Sequence, residues 1–275
     1  MKIASICYVP PPGIGCSNVF LANIRRFKTT HTLILLSDHD HGEGFSTQYQ
    51  KGKAGFQMGS PERLPQHVLH DEQGKRRACA ISNAVFHSAI KVALAMKVTH
   101  LLYLESDCRV GCDNWDAKIF DEYFKLPFPA LAAGTLCAWN VPNGGLEFAR
   151  EWVDATCKSG NKFPLVSYGA FPSATCQNTP SVFPNGALGV YNMQWLTECF
   201  DMTSLLKTAQ GLAWDYVLGQ KIYETFGRDT FRVLAHLSSV CSTYGESLST
   251  EKNRMEWLRR GDYAAVHPVK SEATI

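Results

Sequence analysis

The chain has 275 residues, 45% of them hydrophobic and 19% charged, with a formal net charge of +2. That is enough apolar material for one large core; the near-balance of charge gives no electrostatic reason for a nucleic-acid partner while leaving one allowed, and no run approaches the ~20 apolar residues of a membrane span. Ten cysteines without a CxxC pair, and a start too soon interrupted by Pro10–Pro12 to serve as a secretory leader, predict reduced thiols and a cytoplasmic location.

In chain order, residues 2–9 read as a strand that stops at Pro10–Pro12 and Gly13, and 16–27 carry Val19, Phe20, Ile24 and Phe27 at helical spacing. Gly13 and Gly15 sit where a dinucleotide fingerprint would, yet Val19-Phe20 stand where its third glycine belongs. The turn is expected instead to bend the backbone so that Tyr8, Val9 and Pro10 line a pocket for a base. Residues 32–37 form a second strand, and 38–59, rich in Gly, His and Gln, predict a long loop near a site, with Asp38 or Asp40 beside a ribose or base.

From 78 to 97 the apolar residues Ile81, Ala84, Val85, Ala89, Val92, Ala93 and Met96 follow a helical period of about 3.6 residues. A strand at 100–105 comes next, then a helix at 116–125, a short strand at 130–134, and helices at 146–157, 192–200, 214–226 and 250–260. Strand signals thin after residue 140. This alternation predicts an α/β fold with a mostly parallel central sheet covered by helices on both faces, in a single domain over 1–275 with an elaborated C-terminal region.

The strand at 100–105 carries the strongest chemical signal. It is an apolar run, suited to burial on both faces, that ends abruptly in Glu105-Ser106-Asp107. Open α/β sheets bind ligands at the carboxyl ends of their strands, and paired carboxylates there suit a hard divalent cation, Mn²⁺ or Mg²⁺, held over a phosphate. Cys108 and Cys112, lacking a second Cys or His pair nearby, do not make a zinc motif.

The stretch from Lys75, Arg76, Arg77 and Asn83 through the long helix and strand to Glu105-Ser106-Asp107 resembles the family 2-type nucleotide-diphospho-sugar glycosyltransferases of the GT-A, Rossmann-like fold. Glu105 stands where the first acid of that family's DxD motif is usually Asp. Three later segments follow in the family's order: Phe183 to Gly189, containing Asn185-Gly186, as an acceptor-side loop; Trp214-Asp215, as the acidic helix start; and Val266 to Lys270, as a C-terminal segment supplying a His or a Lys.

The resemblance implies a nucleotide-sugar-binding half over 1–135 and an acceptor-binding half over 136–275. It implies a hexosyl transfer from a nucleoside-diphosphate sugar, UDP-sugar by preference, to a hydroxyl acceptor that the sequence does not identify: saccharide, protein, lipid head group and modified nucleic-acid base are all open. Glu105, Asp107 and His267 would hold the metal; Arg76, Arg77 or Lys270 would supply fixed positive charge to the diphosphate. Asp215 would be the general base of an inverting reaction, with Asn185, Gly186 and Trp214 on the acceptor side.

Each of these residues also has a plainer reading: acids at strand ends as solvated residues or caps, Asp215 as a helix cap, Arg76 and Arg77 as a solvated helix start, Trp214 as ordinary core. Two other functions share the fold. A nucleotidyltransferase would carry a cation-bearing glycine loop after its first strand, where this chain has no cation before Arg25; a non-catalytic nucleotide- or sugar-binding module would tolerate Glu105.

Overall fold

The computed structural model describes residues 1–9, 17–37, 54–57, 72–126, 131–139, 181–202, 204, 214–226, 231–234, 237–239, 241–242, 251–267 and 269. Among them the central sheet is built from β1 (Ile3–Tyr8), β2 (Thr32–Ser37), β3 (Ala54–Gln57), β4 (His100–Leu104), β6 (Ala132–Trp139), β7 (Ser181–Asn192), β8 (Phe231–Val233) and β10 (Cys241–Ser242). Its order is β10-β6-β7-β4-β1-β2-β3, with β8 also pairing β6. Only β7 runs against the rest. A second sheet of β5 (Arg109–Val110), β11 (Ala265–His267) and β9 (Leu237–Ser239) stands beside it in the order β5-β11-β9.

Alternate side chains of the buried strands project to opposite faces, and each face is covered. On one side Ala4, Ile6, Ile34, Leu36, Leu101 and Tyr103 pack against α2 (Glu72–Ala95), α4 (Met193–Cys199) and α5 (Trp214–Phe226). On the other, Cys7, Leu33, Leu35, Leu102 and Leu104 meet α1 (Ser17–Arg26) and α3 (Trp115–Phe124). The fold is α/β with a mostly parallel central sheet, helices on both faces and strands buried on both sides. No helix among the described residues is long and apolar enough to cross a membrane.

Two expectations change. Residues 181–192, including the segment read as a loop around Asn185-Gly186, form one long strand between β4 and β6; Pro and Gly discourage a strand locally, but two neighbours supply its ladder. The irregularity lies on β7 itself: the register shifts where Gly134 and Leu136 of β6 pair with Gly189 and Pro184, so β7 carries the surplus residues there. The span 38–59 is not all loop, since Ala54–Gln57 pairs in parallel with β2. The helix expected at 146–157 lies outside the described residues.

Helix ends aim the strands that follow them. α2 closes with Lys97 in the left-handed region (φ 56°), its N–H donating to Leu94 O and that of Val98 to Ala93 O, the two bonds of a Schellman motif; β4 begins three residues later. The last helix, α6 (Glu251–Arg260), ends the same way at Gly261 (φ 79°), with Gly261 N–H to Leu258 O and Asp262 N–H to Trp257 O. That turn sends the chain back as β11, under which Met255, Leu258, Val266 and Val269 form a small apolar core.

The connection between α1 and β2 is held from the side by α3. Asp116, completely buried, accepts the backbone N–H of Thr30 at 2.9 Å and that of His31 at 2.6 Å. Bonds to a charged group are worth about 1.5–3 kcal/mol each, and truncation would strand both amides. Asp116→Ala is expected to destabilise the fold by about 3 kcal/mol, read from the urea midpoint; a loss under about 1 kcal/mol would show that water replaces the carboxylate.

Candidate functional site

β4 delivers its chain to the site and stops. Beyond Leu104 the backbone turns, Cys108 N–H donating to Glu105 O at 3.1 Å, and resumes as β5. β5 is short and would be poorly fixed alone, but α1 supplies a substitute partner: Asn23, buried, accepts Val110 N–H through Oδ1 at 2.8 Å and donates through Nδ2 to Val110 O at 3.0 Å. A side-chain amide thus satisfies both backbone groups as a neighbouring strand would. On the other side β11 pairs antiparallel with β5, Val266 opposite Arg109 and Ala265 opposite Val110. One further bond, Val269 N–H to Asp107 O at 2.7 Å, ties the chain beyond β11 to the turn.

That pairing brings His267 to the acids. Its Nε2 lies 3.0 Å from Asp107 Oδ1, with the imidazole 6% and the carboxylate 22% exposed. Glu105 joins them: one ligand atom from each of Glu105, Asp107 and His267 lies within 4.8 Å of the other two. Two carboxylate oxygens and an imidazole nitrogen this close together fit a divalent cation of Mn²⁺ type, which accepts oxygen ligands and tolerates an imidazole. The neighbouring Cys108 does not belong to the set. Burial, followed by the charges of Asp107 and Glu105, pushes its thiol well above the ordinary range, so sulfur stays protonated there.

Asp215 approaches from the α5 side. It lies in the first turn of α5, and its Oδ2 accepts Gly186 N–H at 3.0 Å. Leu188 pairs with Leu104, the last residue of β4, and Gly186 lies two residues beyond it, so this carboxylate sits at the same end of the sheet as the acids. The buried Tyr191 hydroxyl registers both sides: burial raises its pKa well above normal, and the charges of Asp215 and Glu105 raise it further. Gly186 is required by the close approach, because a Cβ there would overlap the Trp214 ring and the Cβ of Asp215.

Tyr8, half-buried at the end of β1, belongs to the same edge, since Cys7 pairs with Leu104 in the neighbouring strand. Tyr103 beneath it is fully buried, and its hydroxyl is pushed well up by burial and then by Glu105 and the neighbouring tyrosines. Asn83 is buried within α2.

Trp214 departs from expectation. It is 1% exposed, stacks on Phe86 with ring centroids 3.4 Å apart and planes 8° from parallel, and meets Tyr103 edge-on at 5.8 Å. It is a core side chain that shapes the floor under Gly186, not a platform offered to an acceptor. Arg76 and Arg77 fall within α2 and Asn185 within β7, but their side chains lie outside the described residues, as do Pro10, Asp38 and Lys270 entirely.

Two residues beside the acids escaped the sequence reading, Asn23 and the buried Arg109. Asn23 did leave a signal: it lies on the stripe of Phe20, Ile24 and Phe27, where a polar residue needs a specific partner.

No protein-family model matches the chain. No curated protein matches it in sequence. Among solved structures it is similar to the crystal structure of the glycosyltransferase GlyE in Streptococcus pneumoniae TIGR4, at 12% identity and a TM-score of 0.47, over 97% of this chain and 54% of that one. The apo form of GlyE gives 11% identity, a TM-score of 0.48 and the same coverage. This chain therefore spans 54% of the length of the solved structures it resembles, and no residue's role passes from them to it.

Proposed function

We propose that this chain is a metal-dependent glycosyltransferase, moving a hexose from a nucleoside-diphosphate sugar, UDP-sugar by preference, to a hydroxyl acceptor with inversion. The observation that supports it is the meeting of Glu105, Asp107 and His267 at the carboxyl end of the sheet, from distant parts of the sequence. Exposed acids cluster often without a ligand; a nearly buried histidine brought against them by a separate small sheet is a more specific arrangement.

Breaking a sugar–phosphate bond leaves negative charge on the departing diphosphate. Glu105, Asp107 and His267 would hold Mn²⁺ or Mg²⁺, and the bound ion supplies Lewis-acid stabilisation of that charge. On the acceptor side Asp215 takes the proton of the attacking hydroxyl. Gly186 N–H, donating to its Oδ2, orients the carboxylate. Tyr8, at the end of β1 next to β4, would line the pocket for a nucleotide base.

The test is release of UDP from UDP-glucose in the presence of Mn²⁺. Turnover should vanish on chelation and return with Mn²⁺; turnover indifferent to the chelator would overturn the metal assignment. Asp215→Asn should slow transfer to a hydroxyl acceptor by about 10²–10⁴-fold, the usual contribution of a general base, while leaving UDP binding, read by calorimetry, unchanged. Equal transfer rates would reassign Asp215 to the structural role of holding Gly186.

A further inference from the structure

Arg109 lies directly behind the acids and has no part in the chemistry proposed above. It is fully buried, and one guanidinium nitrogen, Nη1, donates to Cys108 O at 2.8 Å and Ser106 O at 3.3 Å. Those carbonyls flank Asp107. Burying a guanidinium is costly unless its protons find acceptors, and part of what holds this one is the backbone of the turn that carries the aspartate.

We propose that Arg109 is a positioning residue for the cation site, locking the Ser106–Cys108 backbone so that Asp107 faces His267 and Glu105. The proposal rests on the metal reading. Its geometry has three further supports: Cys108 N–H closes the turn onto Glu105 O, Val269 N–H clamps Asp107 O, and Asn23 and β11 hold the strand from which Arg109 reaches back. With those bonds in place, the guanidinium holds the turn through its backbone carbonyls and leaves the two carboxylates partly exposed. Groups behind a metal's own ligands commonly carry 10–100-fold of its affinity, because they decide whether the ligands converge.

Charge and position act in opposite directions here. A buried cation near the site repels a divalent ion, so losing it would tighten binding if charge dominated; losing the lock would weaken binding if position dominated. Arg109→Lys and Arg109→Met separate the two, since lysine keeps the charge without the planar fork and methionine keeps neither.

The experiment uses the full chain, Mn²⁺ alone as the probe, and two readouts: Mn²⁺ affinity from the electron paramagnetic resonance of free ion, and amide hydrogen exchange without metal. Both variants are expected to bind Mn²⁺ about 10–100-fold more weakly, with faster exchange at Cys108 and Val269 and unchanged exchange across β1 and β4. Native protection at those two amides in a folded variant would overturn the proposal, as would tighter Mn²⁺ binding by Arg109→Met. Should Arg109→Met unfold, seen as exchange throughout β1 and β4, Arg109→Lys decides; unfolding of both would overturn the positioning role in favour of a core role. Should the native protein bind no Mn²⁺, the metal reading falls, and the exchange at Cys108 and Val269 alone decides whether Arg109 orders the turn.

Discussion

Asp107→Asn is expected to lower Mn²⁺-dependent turnover of UDP-glucose by about 10²–10³-fold, the range observed when one preorganised contact to developing charge is removed. The substitution keeps shape and removes the formal negative charge, and it leaves untouched the backbone bond from Val269 to Asp107 O. The fold should therefore survive, with a thermal midpoint near that of the native chain. Binding of Mn²⁺ should weaken in step with turnover, because the amide offers the ion one neutral oxygen in place of a carboxylate. His267→Gln would be the milder relative, withdrawing a neutral ligand. Native turnover in Asp107→Asn with Mn²⁺ still required would show that the ion is held elsewhere.

Trp214→Ala is expected to cost about 3–5 kcal/mol of stability, as for large aromatic truncations in packed cores. The indole is 1% exposed and packs against three aromatic rings, Phe86, Tyr103 and Tyr191. Its loss leaves a void bounded on one side by Gly186, whose lack of a side chain now makes room for the ring. The void also adjoins Asp215, so the bond from Gly186 N–H should loosen as well. Chemical denaturation measures the first effect; the second appears as faster hydrogen exchange at Gly186. Trp214→Phe, retaining a stacking face for Phe86, should recover much of the loss. A change below about 1 kcal/mol for Trp214→Ala would mean that the cluster closes over the gap.

The parallel strands of the first half were legible because their signals are local, whereas β3, β8 and β10 left no such signal. Runs such as Thr32–Ser37 and His100–Leu104 are apolar, short and bounded by breakers, and the stretch leading into β4 repeats with the period of a helix. β7 was not legible, since Pro184, Asn185, Gly186 and Gly189 all argue against a strand, and only the ladders offered by β4 and β6 override them. Tertiary pairing outweighed local preference there. In the site, Glu105 and Asp107 announced themselves by ending an apolar run. His267 rested on the order of segments in a family resemblance, and its contact with Asp107 exists because β11 pairs with β5, a pairing of two very short strands that no local pattern encodes. Arg109 was hidden for a different reason: its two bonds go to the carbonyls of Ser106 and Cys108, close by in sequence, but no residue pattern announces that a guanidinium will fold back onto backbone oxygens. Trp214 was read for its surface chemistry, whereas Phe86, Tyr103 and Tyr191 claim every face of it.

The attachment of β11, the last strand among the described residues, to the acidic turn has a thermodynamic corollary. His267 is brought to Asp107 by the pairing of Ala265–His267 with β5 and β9 and by the closure of Val269 onto Asp107 O. Any ion gripped by all three side chains therefore favours the docked tail over the detached one, and reciprocity requires the docked tail to raise affinity for the ion by the same factor. Occupancy and tail docking become two readings of a single equilibrium, so the resistance of the C-terminal segment to proteolysis reports how full the site is.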